Sequence, residues 1–272
     1  MADASDGDTS VKNESKSSIS TFKSPSHLDE DVSSLCINYF KDDKVLVGHE
    51  KGAYIASIAG NSCSEEIVKR LQQNNEDSEV PCFCVDETTN DIFYAASGSD
   101  ILKFDYRCSL DKEIDVFTEN CDEINSLQIN ENGLLSSTDD SGECKLFDTR
   151  KNSIYRTLRN RHKNICSVGL FLKTRSDVIV TGGYDSQIIA WNFATVRSIQ
   201  SINTQDLLQK LGDNSVTMFN PPMVHTMNLS SDGKVLASGL GENFLYFPII
   251  KAKIELFSYW KDNVNPLKNK QK

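Results

Sequence analysis

The chain contains no stretch approaching the roughly 18 apolar residues that cross a bilayer. Its polar start, Met1-Ala-Asp-Ala-Ser-Asp, lacks the apolar core of a secretory leader. A soluble protein of the cytoplasm or nucleus is expected. Compact catalytic signatures are missing too: no glycine-rich phosphate loop, no nucleophile in a strained strand-to-helix elbow, and no His, Cys and carboxylate cluster at metal-ligand spacing. Neither a cofactor, a metal nor an enzymatic activity is expected. Positive charge is scarce, since 29 Lys and Arg against 39 Asp and Glu leave a net −10, and this disfavours a general nucleic-acid binder, whose phosphate-facing surface must be cationic. A local basic patch remains at Arg150-Lys151, Arg156, Arg159 and Arg161-His162-Lys163; solvated strand edges and loops are the plainer reading of it.

The eight cysteines do not form a disulfide framework on this reading, because 272 residues is far above the size that needs covalent stapling. Most of them interleave with apolar residues, as buried thiols on strands do. Cys82-Phe83-Cys84 puts two sulfurs on one strand face, yet zinc would need two further ligands that no Cys or His spacing supplies.

What the sequence does have is a recurring phrase. Ser97-Gly98-Ser99-Asp100-Ile101-Leu102-Lys103-Phe104-Asp105-Tyr106-Arg107 is echoed by Asp139 to Arg150, which ends Leu146-Phe147-Asp148-Thr149-Arg150. Gly182 to Asn192, ending Ala190-Trp191-Asn192, repeats it again. Each copy is a tight turn, an alternating strand and an aromatic-acid or aromatic-amide ending. The aromatics Phe104, Phe147 and Trp191 stand 43 and 44 residues apart, the period of one four-stranded propeller blade.

Around this period the chain divides into three parts. Residues 1–30, rich in Ser, Asp, Lys and Asn, cannot repay the entropy of ordering and are expected to be a disordered tail. Residues 31–250 form the repeat domain. Its first unit reads as strands at 34–38, 44–48 and 52–56; the second runs from Cys82 to Arg107, the third from Asp122 to Arg150, the fourth from His162 through Trp191, and the fifth from Met223 to Pro248. Between the first two units, Ser62 and Glu65 fit a capping box and Ile67, Val68 and Leu71 share one helical face, so a short helix is predicted over 62–72. A second short helix is predicted from Gln205 to Leu211, stopped by Gly212. Pro248 stands where the fifth unit's closing acid is expected. Residues 251–272 read as a poorly structured tail, within which Ile254–Trp260 offers one more strand.

The period and the endings resemble those of the WD-repeat family of β-propellers, and further phrases in the same order resemble a seven-bladed member of it. These include Asp122 to Leu127, Leu134 to Gly142, Arg159 to Ser167 and Asn220 to His225. The resemblance implies an all-β propeller of about five recognisable four-stranded blades, either an incomplete seven-bladed ring or a smaller closed one. It also implies roles for particular residues. His162, Thr181, Asp185 and Trp191 match the buried hydrogen-bonded tetrad of the family, a structural assignment that displaces a hydrolase reading of His162 with Asp185 because no nucleophile elbow accompanies them. Phe104, Asp105 and Arg107, with Phe147, Asp148 and Arg150, match the aromatic-Asp-x-Arg ending by which WD-repeat substrate receptors dock on the damage-binding adaptor of cullin-4 ubiquitin ligases. The plainer alternative is that both arginines only pair with neighbouring carboxylates. A protein-interaction scaffold is the expected function, either a ligase substrate receptor with an unidentified target or an assembly or peptide-binding scaffold unrelated to ubiquitin.

Overall fold

The computed structural model describes residues 34–40, 44–49, 52–57, 67–71, 79–108, 110, 112–211, 221–240, 243–250, 253–254 and 258–261. Five antiparallel sheets follow one another along the chain. The first consists of Ser34–Tyr39 (β1), Lys44–His49 (β2), Gly52–Ser57 (β3) and Ile67–Leu71 (β4). The second is Phe83–Val85 (β5), Ile92–Ser97 (β6), Asp100–Asp105 (β7) and Asp115–Phe117 (β8). The third is Ile124–Ile129 (β9), Leu134–Asp139 (β10), Cys144–Asp148 (β11) and Ser153–Leu158 (β12). The fourth is Cys166–Phe171 (β13), Val178–Gly183 (β14), Gln187–Asn192 (β15) and Arg197–Asn203 (β16), followed by the helix Thr204–Lys210 (α1). Thr226–Leu229 (β17), Val235–Gly239 (β18) and Asn243–Ile250 (β19) make the fifth, with Lys253–Ile254 (β20) and Ser258–Lys261 (β21) both pairing with β19.

The first four sheets are simple meanders, and the middle strands β6 and β14 are apolar on both faces because a neighbouring sheet covers each face. In β14, Val178 and Val180 point towards the fifth sheet with Leu236 and Leu245, while Ile179 packs towards the third with Leu146 and Trp191. In β6, Phe93 and Ala95 face the first sheet, and Tyr94 and Ala96 face Leu135 and Phe147 of the third. Each Val, Ile, Leu or Phe among these contributes about 1.5–3 kcal/mol of burial, so no sheet holds this much apolar surface unless its neighbours are present.

The sheets pack through neighbouring inner strands, β1 beside β5, β5 beside β9, β9 beside β13 and β13 beside β17. Polar side chains stitch these junctions. Asn38 donates to the Phe83 carbonyl at 3.1 Å, Asn125 to the Cys166 carbonyl at 3.5 Å and Ser167 to the Val224 carbonyl at 2.6 Å. Among the described residues the sheets do not close into a ring. The far face of the first sheet carries exposed Ile37 and Tyr39 beside buried Val45, Val47 and Tyr54.

Two sequence expectations are corrected. The segment predicted as a helix over 62–72 instead supplies β4 at Ile67–Leu71, paired with β3; residues 62–66 and 72 lie outside the described residues. Three apolar positions within five residues are weak evidence for a helix, and here the edge of β3 offers a ladder that suits the β-branched Ile67-Val68 sequence. Pro248 does not end the fifth sheet's third strand, which continues to Ile250. It stands opposite Val235, the first residue of β18, at the end of that ladder. The helix after β16 starts at Thr204, with the Asn203 side chain accepting from the Asp206 N–H; Gly212 lies outside the described residues. No helix among the described residues is long and apolar enough to cross a membrane.

Phe93 sits fully buried between the first two sheets, stacked on Phe104 at 5.2 Å and edge-on to Phe40 at 5.6 Å. Phe93→Ala is expected to cost roughly 3–5 kcal/mol in urea unfolding, against less than about 0.5 kcal/mol for the exposed Ile37→Ala. Equal losses at the two positions would contradict the packing described.

Candidate functional site

Two sets of side chains occupy opposite rims of the sheets. The turns that follow β7 and β11 lie on one rim, together with the β5–β6 and β9–β10 hairpins; the connections from one sheet to the next lie on the other.

On the first rim, Phe104 and Phe147 are buried, Phe147 edge-on to Phe117 at 5.2 Å. Their following aspartates cap the turn. Asp105 Oδ1 accepts the Arg107 N–H at 2.9 Å, and Asp148 Oδ1 accepts the Arg150 N–H at 3.1 Å, the short side-chain loop that Asp makes two residues ahead of its partner. The arginines then diverge. Arg107 turns back on Asp105 with Nε and Nη2 at 3.0 and 2.7 Å, and Asp91 stands 3.7 Å away. The paired carboxylate raises its guanidinium further above its ordinary value. Arg150 makes no ion pair among the described residues; Nη2 donates to the Asn132 carbonyl, and Asp148 is engaged by Lys151 at 3.4 Å instead. The neighbouring-carboxylate alternative therefore describes Arg107 and not Arg150.

The second rim carries a hydrogen-bonded chain of four side chains. Trp191 Nε1–H donates to Thr181 Oγ1 at 2.8 Å, Thr181 Oγ1 lies 2.8 Å from His162 Nε2, and His162 Nδ1 lies 3.0 Å from Asp185 Oδ1. One direction satisfies every group: the hydroxyl, already accepting from Trp191, donates to Nε2, and a neutral imidazole donates Nδ1–H to the carboxylate. Burial alone would raise the Asp185 carboxyl, but the hydrogen bond from His162 and the N–H groups of Lys163 and Gln187 outweigh it and hold it below its ordinary value. Thr181 is fully buried, so its hydroxyl cannot meet a substrate. Gly183 lets the cluster close, since a Cβ there would lie 2.7 Å from His162 Nδ1.

The third sheet has its own version, which the sequence reading missed. Asn120 stands four residues before β9, as His162 stands four before β13, and its Oδ1 accepts the Ser137 hydroxyl at 2.6 Å. Opposite Ser137, where the fourth sheet has Ile189 opposite Thr181, stands Lys145. It is buried, with Nζ 3.0 Å from Asp139 and 2.8 Å from Glu143. Burial pulls its ammonium towards neutrality, but the two carboxylates prevail and raise it. The signal was present in Glu143-Cys144-Lys145-Leu146-Phe147, a charge on the inward phase of an apolar strand. Among the described residues seven cysteines are free thiols. Burial pushes Cys84 and Cys144 up to about 12, which leaves them inert as nucleophiles. No group of three or more His, Cys, Asp or Glu suited to a metal occurs among the described residues.

No protein-family model matches the chain. It is 26% identical over 225 residues to the WD repeat-containing protein 53 homolog of Dictyostelium discoideum, covering 76% of this chain and 60% of that relative. Among solved structures it is similar to a chain in the crystal structure of the mitotic checkpoint complex, with a TM-score of 0.66 at 16% identity, covering 85% of this chain and 66% of that one. The WD40 β-propeller domain of Doa1 follows with a TM-score of 0.58 at 20% identity, covering 77% and 61%. The chain thus spans about 60% of the length of the curated relative it matches. Its fold is that of the WD40 propeller, and the resemblance to the WD-repeat family read from the blade endings holds.

Trp191→Ala leaves a cavity and Asp185→Ala orphans His162, and each is expected to cost roughly 2–4 kcal/mol. Melting within a degree of wild type would exclude the chain of hydrogen bonds. Because the folded Asp185 titrates below its ordinary 3.8, its contribution is present above that value and is lost as pH falls through the folded value. The stability gap between wild type and Asp185→Asn should hold from neutral pH to about 4 and shrink below it; a gap that widens on acidification contradicts this assignment.

Proposed function

We propose that this chain is a substrate receptor that docks the damage-binding adaptor of a cullin-4 ubiquitin ligase through the rim bearing Arg150. The observation that carries the reading is the pair of aromatic-Asp-x-Arg endings, in which a buried aromatic and a turn-capping aspartate fix the backbone and leave the Arg150 guanidinium at the surface, bonded to the Asn132 carbonyl and with no carboxylate partner among the described residues. A planar fork of N–H donors in that position suits bidentate capture of a partner's carboxylate or carbonyls. Arg107, held by Asp105, supports the turn more than it offers a contact. The propeller fold and the similarity to a WD repeat-containing protein agree with a scaffold role. The second reading, an assembly or peptide-binding scaffold unconnected with ubiquitin, draws on the same fold and differs in the partner found on this rim.

Capture of the purified adaptor by the immobilised chain tests the proposal. Arg107→Ala with Arg150→Ala is expected to weaken capture while shifting stability by no more than about 0.5 kcal/mol, as exposed charges usually do. Arg150→Ala alone should account for most of the loss. Equal capture by wild type and the double variant would reject docking through this rim and leave the second reading.

A further inference from the structure

Between Asp148 and Asp177 the sequence holds eight Lys or Arg and no Asp or Glu, in a chain whose net charge is −10. Three of these cations, Arg159, Arg161 and Lys163, lie on the connection from the third sheet to the fourth, on the rim opposite Arg150. All three are exposed, and among the described residues their side chains make no hydrogen bond or ion pair. The backbone beneath them is nonetheless fixed. His162 is anchored in the buried cluster, the Lys163 N–H donates to Asp185 Oδ2 at 2.9 Å, and the loop lies against Gly142 so closely that a Cβ there would sit 2.8 Å from the Asn164 carbonyl oxygen. Asn160 holds a positive φ of 65°, which reverses the chain between the two arginines and which Asn tolerates better than most residues.

The corresponding connection one sheet earlier has the opposite character. Around buried Asn120 it presents exposed Glu119, Asp122 and Glu123. The rim therefore carries a rigid cationic arc beside an anionic one, each built round the same buried position.

We infer that the 159–163 arc is a docking site for a short acidic segment of a protein partner. Unpaired cations on a pre-ordered loop are available to carboxylates without the cost of rearranging existing ion pairs or ordering the backbone. A nucleic acid fits poorly, since a long polyanion leaving the arc would run across Glu119, Asp122 and Glu123 on a chain already strongly negative. The neighbouring carboxylates instead set a direction: the acidic stretch sits at the third-to-fourth connection, and any basic residue of the partner falls at the second-to-third. The inference rests on the chain being an interaction scaffold and is independent of what docks at Arg150.

Fluorescence anisotropy with a labelled peptide of alternating Glu and Ser tests it on the full chain, with a Gln-Ser peptide and an oligo-dT of matched length as controls. Saturable binding of the Glu-Ser peptide alone is expected, weakened by added salt and about tenfold weaker for Arg159→Ser with Arg161→Ser. Glu119→Lys with Asp122→Lys should tighten it. Absence of saturable binding, equal binding by the Arg159→Ser/Arg161→Ser variant at an unchanged melting temperature, or stronger binding of oligo-dT would overturn the inference. Adaptor capture by that variant should be unaffected, so a failure here is distinct from a failure of the Arg150 docking reading.

Discussion

A four-stranded sheet whose middle strands are apolar on both faces, as β6 and β14 are, is not stable alone in water, and the stacking of the sheets follows from that constraint. Consecutive residues of β14 go to different neighbours, Val178 and Val180 to the fifth sheet and Ile179 to the third, and β6 divides its side chains between the first and third in the same way. Packing of this kind consumes the faces between neighbouring sheets and leaves the rims, the outer strands and the far face of the first sheet for contact with other molecules. Function in such a chain is therefore decided by turns and connections, whose positions the stacked sheets hold still.

The buried polar cluster is the means by which the rim is tied to the core. Trp191 and Thr181 belong to strands, His162 and Asp185 to the loops above them, and one directed run of hydrogen bonds joins all four. In the third sheet Phe147 has no donor to offer and the run is reduced to Asn120 with Ser137, while Lys145 enters between two carboxylates. Lys145 is the member that cannot be lost, since its removal would leave the fully buried Asp139 carboxylate without a cation. The two sheets thus solve one problem, fixing a connection on the rim, with different chemistry.

Much of the fold was legible because its signal is periodic. Phe104, Phe147 and Trp191 mark the ends of β7, β11 and β15, and glycines with positive φ at 98, 133, 142 and 233 mark turns. The error at Ile67–Leu71 came from a segment too short for periodicity to separate helix from strand, where the deciding influence was the open edge of β3, a tertiary partner invisible in the local sequence. The endings around Arg107 and Arg150 looked alike as text. Only the placement of Asp91 and of Lys151 separates an arginine committed to its own turn from one left at the surface. Asn120 was equally hidden, because nothing in its neighbours announces a counterpart of His162.

The two rims are proposed to have separate tasks, docking of an adaptor at the turn after β11 and of an acidic segment at the connection before β13. Both are proposals built on one fold, and amide hydrogen exchange of the full chain with each partner in turn reads them directly. Added adaptor should slow exchange in residues 149–152 and leave 159–164 unchanged, whereas the Glu-Ser peptide should do the reverse. Protection of the same residues by both partners, or of neither segment by either, would contradict the division of the rims.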